Sequence, residues 1–258
     1  MRILSVSDMH CGNLAGLTPD KFNTDSEVDR AMHKYRRKLY NWTMQEIEKL
    51  KPIDVVVCNG DAIDGKGFKS GGNDQLTVDT PRQIDMATEF LKSIEAKQYL
   101  FTVGTGYHTG AEDDWEKCVA ATFGTKVEDV AVRSVNGLIM KWRHHIGTSQ
   151  NFSGRATPLM KQQEWDILWS VEDEFVRADV LVFSHAHYFQ CVATRFGMAF
   201  IQPGLQGLGG SQLGSRRLGG IIDYGFMHFD VESKEDWTWE LHRLVQTPSI
   251  RGESVAEL

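Results

Sequence analysis

Six of the nine histidines in this chain lie in five short motifs that follow one another in order. They are Asp8-Met9-His10, Gly60-Asp61-Ala62-Ile63-Asp64, Gly106-Tyr107-His108, His144-His145-Ile146-Gly147 and Ser184-His185-Ala186-His187. Residues two apart in an extended segment point the same way, so Asp8 with His10, and His185 with His187, can each offer two ligands to one metal. A carboxylate with an imidazole suits manganese, iron or zinc. Taken singly each motif has a plainer reading. Asp61 after Gly60 can be a turn residue, and a histidine at a strand end can be a hydrogen-bonded structural residue. Taken together they differ, because each follows an apolar strand-like run, and ligands in open α/β sheets collect at strand carboxyl ends.

The elements that must position these motifs can be read from the apolar pattern. Residues 2–7 form a short buried strand ahead of Asp8. Val28, Met32, Tyr35, Leu39 and Trp42 fall on one face of a helix over 26–50. Ile53 to Cys58, with Val55, Val56 and Val57 in succession, has the composition of a strand covered on both faces. Pro81 to Lys97 is predicted as a helix, Tyr99 to Val103 as a strand, and 112–123 as a helix. Strands follow at 127–135 and 137–145, a helix at 157–177 and a strand at 180–183. Beyond residue 190 the pattern becomes a β meander, with strands at 191–202, 219–231 and 236–245. Two Gly-rich polar segments, 65–80 and 203–220, read as mobile loops suited to substrate selection, the second carrying Gln206, Gln212, Arg216 and Arg217. The simplest organisation is one α/β domain over 1–246 with a tail at 247–258.

The chain has 258 residues and a net charge of −7, with no basic run that would bind extended nucleic acid through its backbone. Cys11, Cys58, Cys118 and Cys191 are widely spaced with no Cys-x-x-Cys pair, the pattern of a reduced, cytoplasmic protein. No apolar run is long enough to span a bilayer, so no membrane partner is expected. A metal-ligating Asp8 would also exclude a cleavable N-terminal signal.

At this point the motif order resembles the calcineurin-like metallophosphoesterases, whose series runs D-x-H, G-D-x-x-D, G-N-H, H-x-G, G-H-x-H. The resemblance covers residues 3 to 187 well and the remainder loosely. The spacing Gly104-Thr105-Gly106-Tyr107-His108 looks like that of phage and prophage members. The resemblance implies a four-layer αββα sandwich of two mixed β-sheets flanked by helices, with a dinuclear metal site at the C-terminal edge of the strands. Carried over by position, Asp8, His10, Asp61 and His187 would hold one ion, and Asp61 would bridge. His145 and His185 would hold the second, His145 fitting the H-x-G spacing and His144 pointing the other way on its strand. His108 would act on the leaving group. The family's asparagine ligand falls at Tyr107, a poor substitute for an amide oxygen, so the second ion is expected to bind more weakly. The acidic residue that usually follows the histidine is Thr109, leaving Glu112, Asp113 or Asp114 to orient His108. Ser184 replaces the glycine ahead of H-x-H.

The implied activity is a metal-dependent phosphoesterase acting on phosphodiester or nucleotide-type substrates, with a metal-activated hydroxide as nucleophile. Manganese is the first choice of cofactor ion, with iron, zinc or nickel as alternatives. A nucleotide or nucleic-acid end is the expected substrate class, and Arg155 and Tyr107 are the expected substrate contacts. A non-catalytic binding or scaffold module on the same fold is the main alternative, favoured by Tyr107. A DNA or RNA nuclease is the third reading.

Overall fold

The computed structural model describes residues 1–23, 27–68, 71–109, 115–149, 151–172, 175–208 and 222–245. Along the chain lie β1 (Arg2–Val6), α1 (Glu27–Glu48), β2 (Val55–Asn59), α2 (Thr80–Ile94), β3 (Gln98–Thr102), α3 (Gly106–Thr109), α4 (Trp115–Ala121), β4 (Val127–Glu128), β5 (Ala131–Val135) and β6 (Leu138–Arg143). There follow α5 (Thr157–Val171), β7 (Val180–Phe183), β8 (Gln190–Thr194), β9 (Gly197–Ile201), β10 (Tyr224–Val231) and β11 (Trp237–Leu244). The first sheet has the order β11-β10-β1-β2-β3-β4 and the second β5-β6-β7-β9-β8. Both are mixed: β1 to β4 run parallel, as do β6, β7 and β9, and the remaining strands pair antiparallel.

The apolar runs explain the layering. In β2, Val55 and Val57 face the space between the sheets, where they meet Trp142, Val180, Val182, Phe200 and Phe229. The alternate residues Val56 and Cys58 face α1 and α2, packing among Leu39, Met86, Phe90 and Phe226. In β7, Val180 and Val182 face inward, whereas Leu181 and Phe183 pack with Leu159 of α5. Strands apolar at every position are those covered on both faces. The result is the four-layer αββα sandwich, with helices outside both sheets.

Three sequence expectations change. The stretch 127–135 is two strands in different sheets: β4 pairs with β3 and β5 with β6, so the chain crosses between layers at Asp129-Val130. Period-2 alternation shows which face a residue takes and says nothing about which sheet it joins. The stretch 191–202 is a hairpin, with β8 antiparallel to β9. The segment 65–80, expected to be mobile, is tied down where it is described. Leu14 N donates to Asp74 O at 2.8 Å, Leu76 N donates to Gly12 O at 2.7 Å, and Asp74 is buried. Of the second Gly-rich segment, 203–220, residues 209–220 lie outside the described residues, Gln212, Arg216 and Arg217 among them, as do Glu112, Asp113, Asp114 and residues 246–258; Gln206, in the described part, is buried. No described helix is long and apolar enough to cross a membrane.

Candidate metal centre

The parallel strands of both sheets end at one edge, and the motifs sit there. Past β1 the chain stays beside the chain past β2: Asp8 N donates to Gly60 O and His10 N to Asp61 O, each at 3.0 Å. In the second sheet Ser184 N donates to His144 O at 3.0 Å. The two edges are joined by polar contacts. His185 N donates to Asp8 Oδ2 at 3.1 Å, and the Asn59 amide donates to Ser184 Oγ at 2.6 Å and accepts from Thr102 Oγ1 at 2.7 Å. Ser184 thus provides an acceptor that locks one sheet to the other. Gly60, at φ 79°, lets the His144 ring approach so closely that a Cβ would lie 2.4 Å from it.

Asp8, His10 and His187 form one group of candidate ligands. His187 Nε2 is 3.2 Å from Asp8 Oδ1, and the Nε2 atoms of His10 and His187 are 3.3 Å apart. Asp61, His144 and His185 form a second group. Asp61 Oδ2 is 3.0 Å from His144 Nε2 and 4.0 Å from His10 Nε2, so this oxygen stands between the two groups. The rings are set by what their far nitrogens bind. His10 Nδ1 lies 2.8 Å from Asp64 Oδ1, and His144 Nδ1 lies 2.8 Å from the Asn59 carbonyl. Each acceptor demands an N–H at Nδ1, so Nε2 is the nitrogen turned into the site and, once free of its proton, the one able to ligate, as in ligating histidines held by an outer carboxylate or carbonyl.

His145 stands elsewhere than the sequence expectation put it. Strand alternation runs past β6, so His144 is buried beneath the edge and His145 is exposed. His145 stacks on His185 with ring centroids 4.7 Å apart. Tyr107 is also displaced from its expected place. It lies on the short α3, its ring edge-on to His108 at 4.8 Å. The residue that enters the second group is Thr105. Its hydroxyl is 3.1 Å from Asp61 Oδ2, 3.3 Å from His144 Nε2 and 3.1 Å from His185 Nδ1, and its amide donates to Asp61 Oδ1 at 2.6 Å. Sequence spacing counted backwards from His108 missed it because the turn of α3 inserts two residues. The pattern Gly104-Thr105 was the available signal. We predict that Thr105→Asn, by restoring an amide oxygen, tightens the second of two metal-binding steps in a calorimetric titration. Thr105→Ala should leave that step no stronger than in the wild type, and an unchanged second step in Thr105→Asn would contradict the placement.

His108 is oriented by Asp64, one turn of loop from Asp61. Its Nδ1 donates to the Asp64 carbonyl at 2.9 Å, and its ring packs edge-on to His10 at 4.5 Å. The Asp64 carboxylate therefore holds His10 while its backbone holds His108, and Asn13 Nδ2 and Gln75 Nε2 donate to the same carboxylate. Glu116, also unforeseen, accepts from the amides of Ala62 at 3.0 Å and Gly104 at 2.5 Å, clamping the loops that carry Asp61 and Thr105. Arg155 is buried, its guanidinium 4.5 Å from the centroid of the Tyr188 ring and 5.3 Å from that of Phe152. Its Nε has no hydrogen-bond partner.

The electrostatics favour cations. Asp8, Asp61 and Asp64 are all buried. Burial would raise Asp8 and Asp61, yet the histidines around them hold both below the usual carboxylate range. Burial would lower His144, but Asp61 and Asp8 push it up to about 10. Burial and His144 hold His185 down to about 4, so its ring is neutral at pH 7. Burial and the charge of Asp61 raise Glu116 to about 7. Asp8 Oδ1 is buried with no hydrogen bond. Of the seven non-glycine residues with positive φ among the described residues, five are Asp8, His10, Asp61, His185 and His187. Left-handed backbone costs about 1–3 kcal/mol per residue and persists where the surroundings over-determine it. The donor set of carboxylates and imidazoles fits one or two divalent ions of the borderline class.

Fold and site together define an αββα sandwich with a candidate two-ion centre. No protein-family model matches the chain, and no curated protein matches it. Solved structures are similar in outline. Vps29 complexed with Zn²⁺ from Entamoeba histolytica is 12% identical, with a TM-score of 0.45 over 94% of this chain and 99% of that one. Vps29 from Chaetomium thermophilum is 12% identical, with a TM-score of 0.47 over 95% and 97%. An archaeal phosphodiesterase is 11% identical, with a TM-score of 0.46 over 94% and 100%. At these values the likeness carries no argument about what this chain's site does.

Proposed function

We propose that this chain is a metal-dependent phosphoesterase acting on phosphodiester or nucleotide-type substrates. The observation that carries the reading is the convergence of five left-handed Asp and His residues from two sheets onto one buried, carboxylate-rich point. Divalent ions held there would supply Lewis-acid polarisation of a phosphoryl oxygen and activation of water at neutral pH. Asp8, His10, His187 and Asp61 would hold the first ion. Asp61, His144 and His185 would hold the second, with the Thr105 hydroxyl as a weak fourth donor. His145 then serves as a stacking partner that fixes the His185 ring. His108 presents Nε2, its Nδ1 being committed to the Asp64 carbonyl, and can hold a proton for the departing oxygen. Arg155 stacks on Tyr188, the residue after His187, and its guanidinium remains the candidate fork for phosphate oxygens. Manganese remains the ion of first choice, and Tyr107, beside His108, remains a candidate contact for the leaving group.

The direct test is hydrolysis of bis(p-nitrophenyl) phosphate against p-nitrophenyl phosphate with Mn²⁺, Ni²⁺, Zn²⁺ or no metal added. Metal-dependent turnover with the diester preferred is expected. Binding of metal with no hydrolysis of either ester would favour the second reading, a non-catalytic binding module. Thr105 is the feature on that side, because a hydroxyl stands where a strong fourth ligand would complete the second ion.

Loading the site should also release protons. His144 lies well above neutral in the ion-free protein, so it carries a proton at pH 7 that must leave before Nε2 can ligate. Metal affinity is therefore expected to strengthen as pH rises from 7 towards about 10, the value to which His144 is pushed. Calorimetry in two buffers of different ionisation enthalpy should detect roughly one proton released per chain on this account. Identical heats in both buffers would show that His144 is not a ligand.

A further inference from the structure

The remaining buried histidines lie far from the strand edge. His228 of β10 pairs with Leu4, in the middle of β1, whereas Asp8 lies beyond that strand's end. His228 stands opposite Glu240 of β11, and Phe226 stands opposite His242. With period-2 alternation, His228, Glu240 and His242 share the face of the first sheet that carries Tyr224 and Phe226. His228 and His242 are 6% and 9% exposed. His228 Nδ1 and His242 Nε2 face each other at 2.9 Å. Their outer nitrogens face carboxylates: His228 Nε2 is 3.7 Å from Asp230 Oδ2, and His242 Nδ1 is 3.5 Å from Glu46 Oε2 of α1. The His242 ring is held flat on Phe226, with centroids 4.7 Å apart.

Two inner nitrogens this close cannot both be bare. If each outer nitrogen keeps its proton towards its carboxylate, the inner lone pairs collide unless a cation lies between them. In the ion-free protein a proton serves. A divalent ion serves better, because Glu240 adds a carboxylate and one ligand atom from each of the three residues falls within 4.8 Å of the others. Nitrogens 2.9 Å apart need only a small opening to sit about 2.0–2.1 Å from one zinc ion. We propose that His228, His242 and Glu240 form a further divalent-metal site, of the zinc class, separate from the edge centre. The His₂Glu set leaves one position for water. The ion would fasten β11, the outer strand of its sheet, to β10, with Asp230 and Glu46 as the outer carboxylates that hold the rings.

The test counts zinc. Full-length protein carrying Asp61→Asn, which weakens the edge centre, is stripped with chelator and dialysed against zinc chloride, then compared with the same protein carrying His242→Gln. One equivalent fewer is expected in the double variant, and zinc should raise Tm in the Asp61→Asn protein more than in the double variant. Glu240 is exposed, so Glu240→Gln in the same background keeps the fold; it should weaken that zinc by roughly tenfold or more. Unchanged zinc stoichiometry and affinity in Glu240→Gln, or in a folded His242→Gln variant, would overturn the proposal. Either outcome leaves the phosphoesterase reading standing, since the edge centre is disabled throughout.

Discussion

Replacing Asp61 by asparagine is expected to abolish turnover and empty the edge centre of metal while the protein stays folded. One oxygen, Asp61 Oδ2, stands 3.0 Å from His144 Nε2 and 4.0 Å from His10 Nε2, within reach of both ligand groups. An amide keeps the shape but removes the charge. The fold should survive because asparagine tolerates the left-handed backbone that Asp61 adopts at φ 51° better than most residues do. The amide can still accept from Thr105. A fall in kcat/KM of roughly 10³-fold or more, about 4 kcal/mol of transition-state stabilisation, is the expected scale. Metal analysis is the decisive readout. Two full equivalents of tightly bound metal at the edge centre of the variant would remove Asp61 from the bridging position.

His108→Ala should slow chemistry and leave metal content unchanged. Its Nδ1–H is fixed on the Asp64 carbonyl, so only Nε2 can exchange a proton with a substrate. The expected loss is about 10²–10⁴-fold for poor leaving groups and small for p-nitrophenolate, which departs without help. The pH dependence has a definite sign. Burial and the neighbouring His10 hold His108 below its ordinary imidazole value, against the pull of Asp61 and Asp64. The acid form is thus lost early as pH rises, and the advantage of wild type over His108→Ala should shrink with it. An equal loss across leaving groups, or a gap that widens with pH, would assign His108 to positioning instead.

The short-range pattern of the sequence determined most of the architecture. The runs at 53–58 and 180–183 are apolar at nearly every position, and such runs are covered on both faces; the two-sheet sandwich itself was implied only by the resemblance of the motif order. The motifs at the ends of those runs marked the edge where chemistry belongs, and Asp8, His10, Asp61, His185 and His187 do meet there. Asp64 was visible in the spacing of its motif, though not its double hold on His10 and His108. What only the tertiary structure decided is which way individual side chains face and what they meet. A strand that continues one residue further turns His144 inward and His145 outward, and pairing distance along the chain carries no record of that phase. The short helix α3 shifts the register, so that Thr105, and not Tyr107, reaches Asp61. Glu116 and Ser184 act through partners distant in the chain, Ala62 together with Gly104 in one case and Asn59 in the other. The same holds for His228 and His242, which the sequence separates by 14 positions and the β10–β11 hairpin brings to 2.9 Å. Periodicity reports which face a residue prefers, and contacts between distant segments are set by how the layers pack.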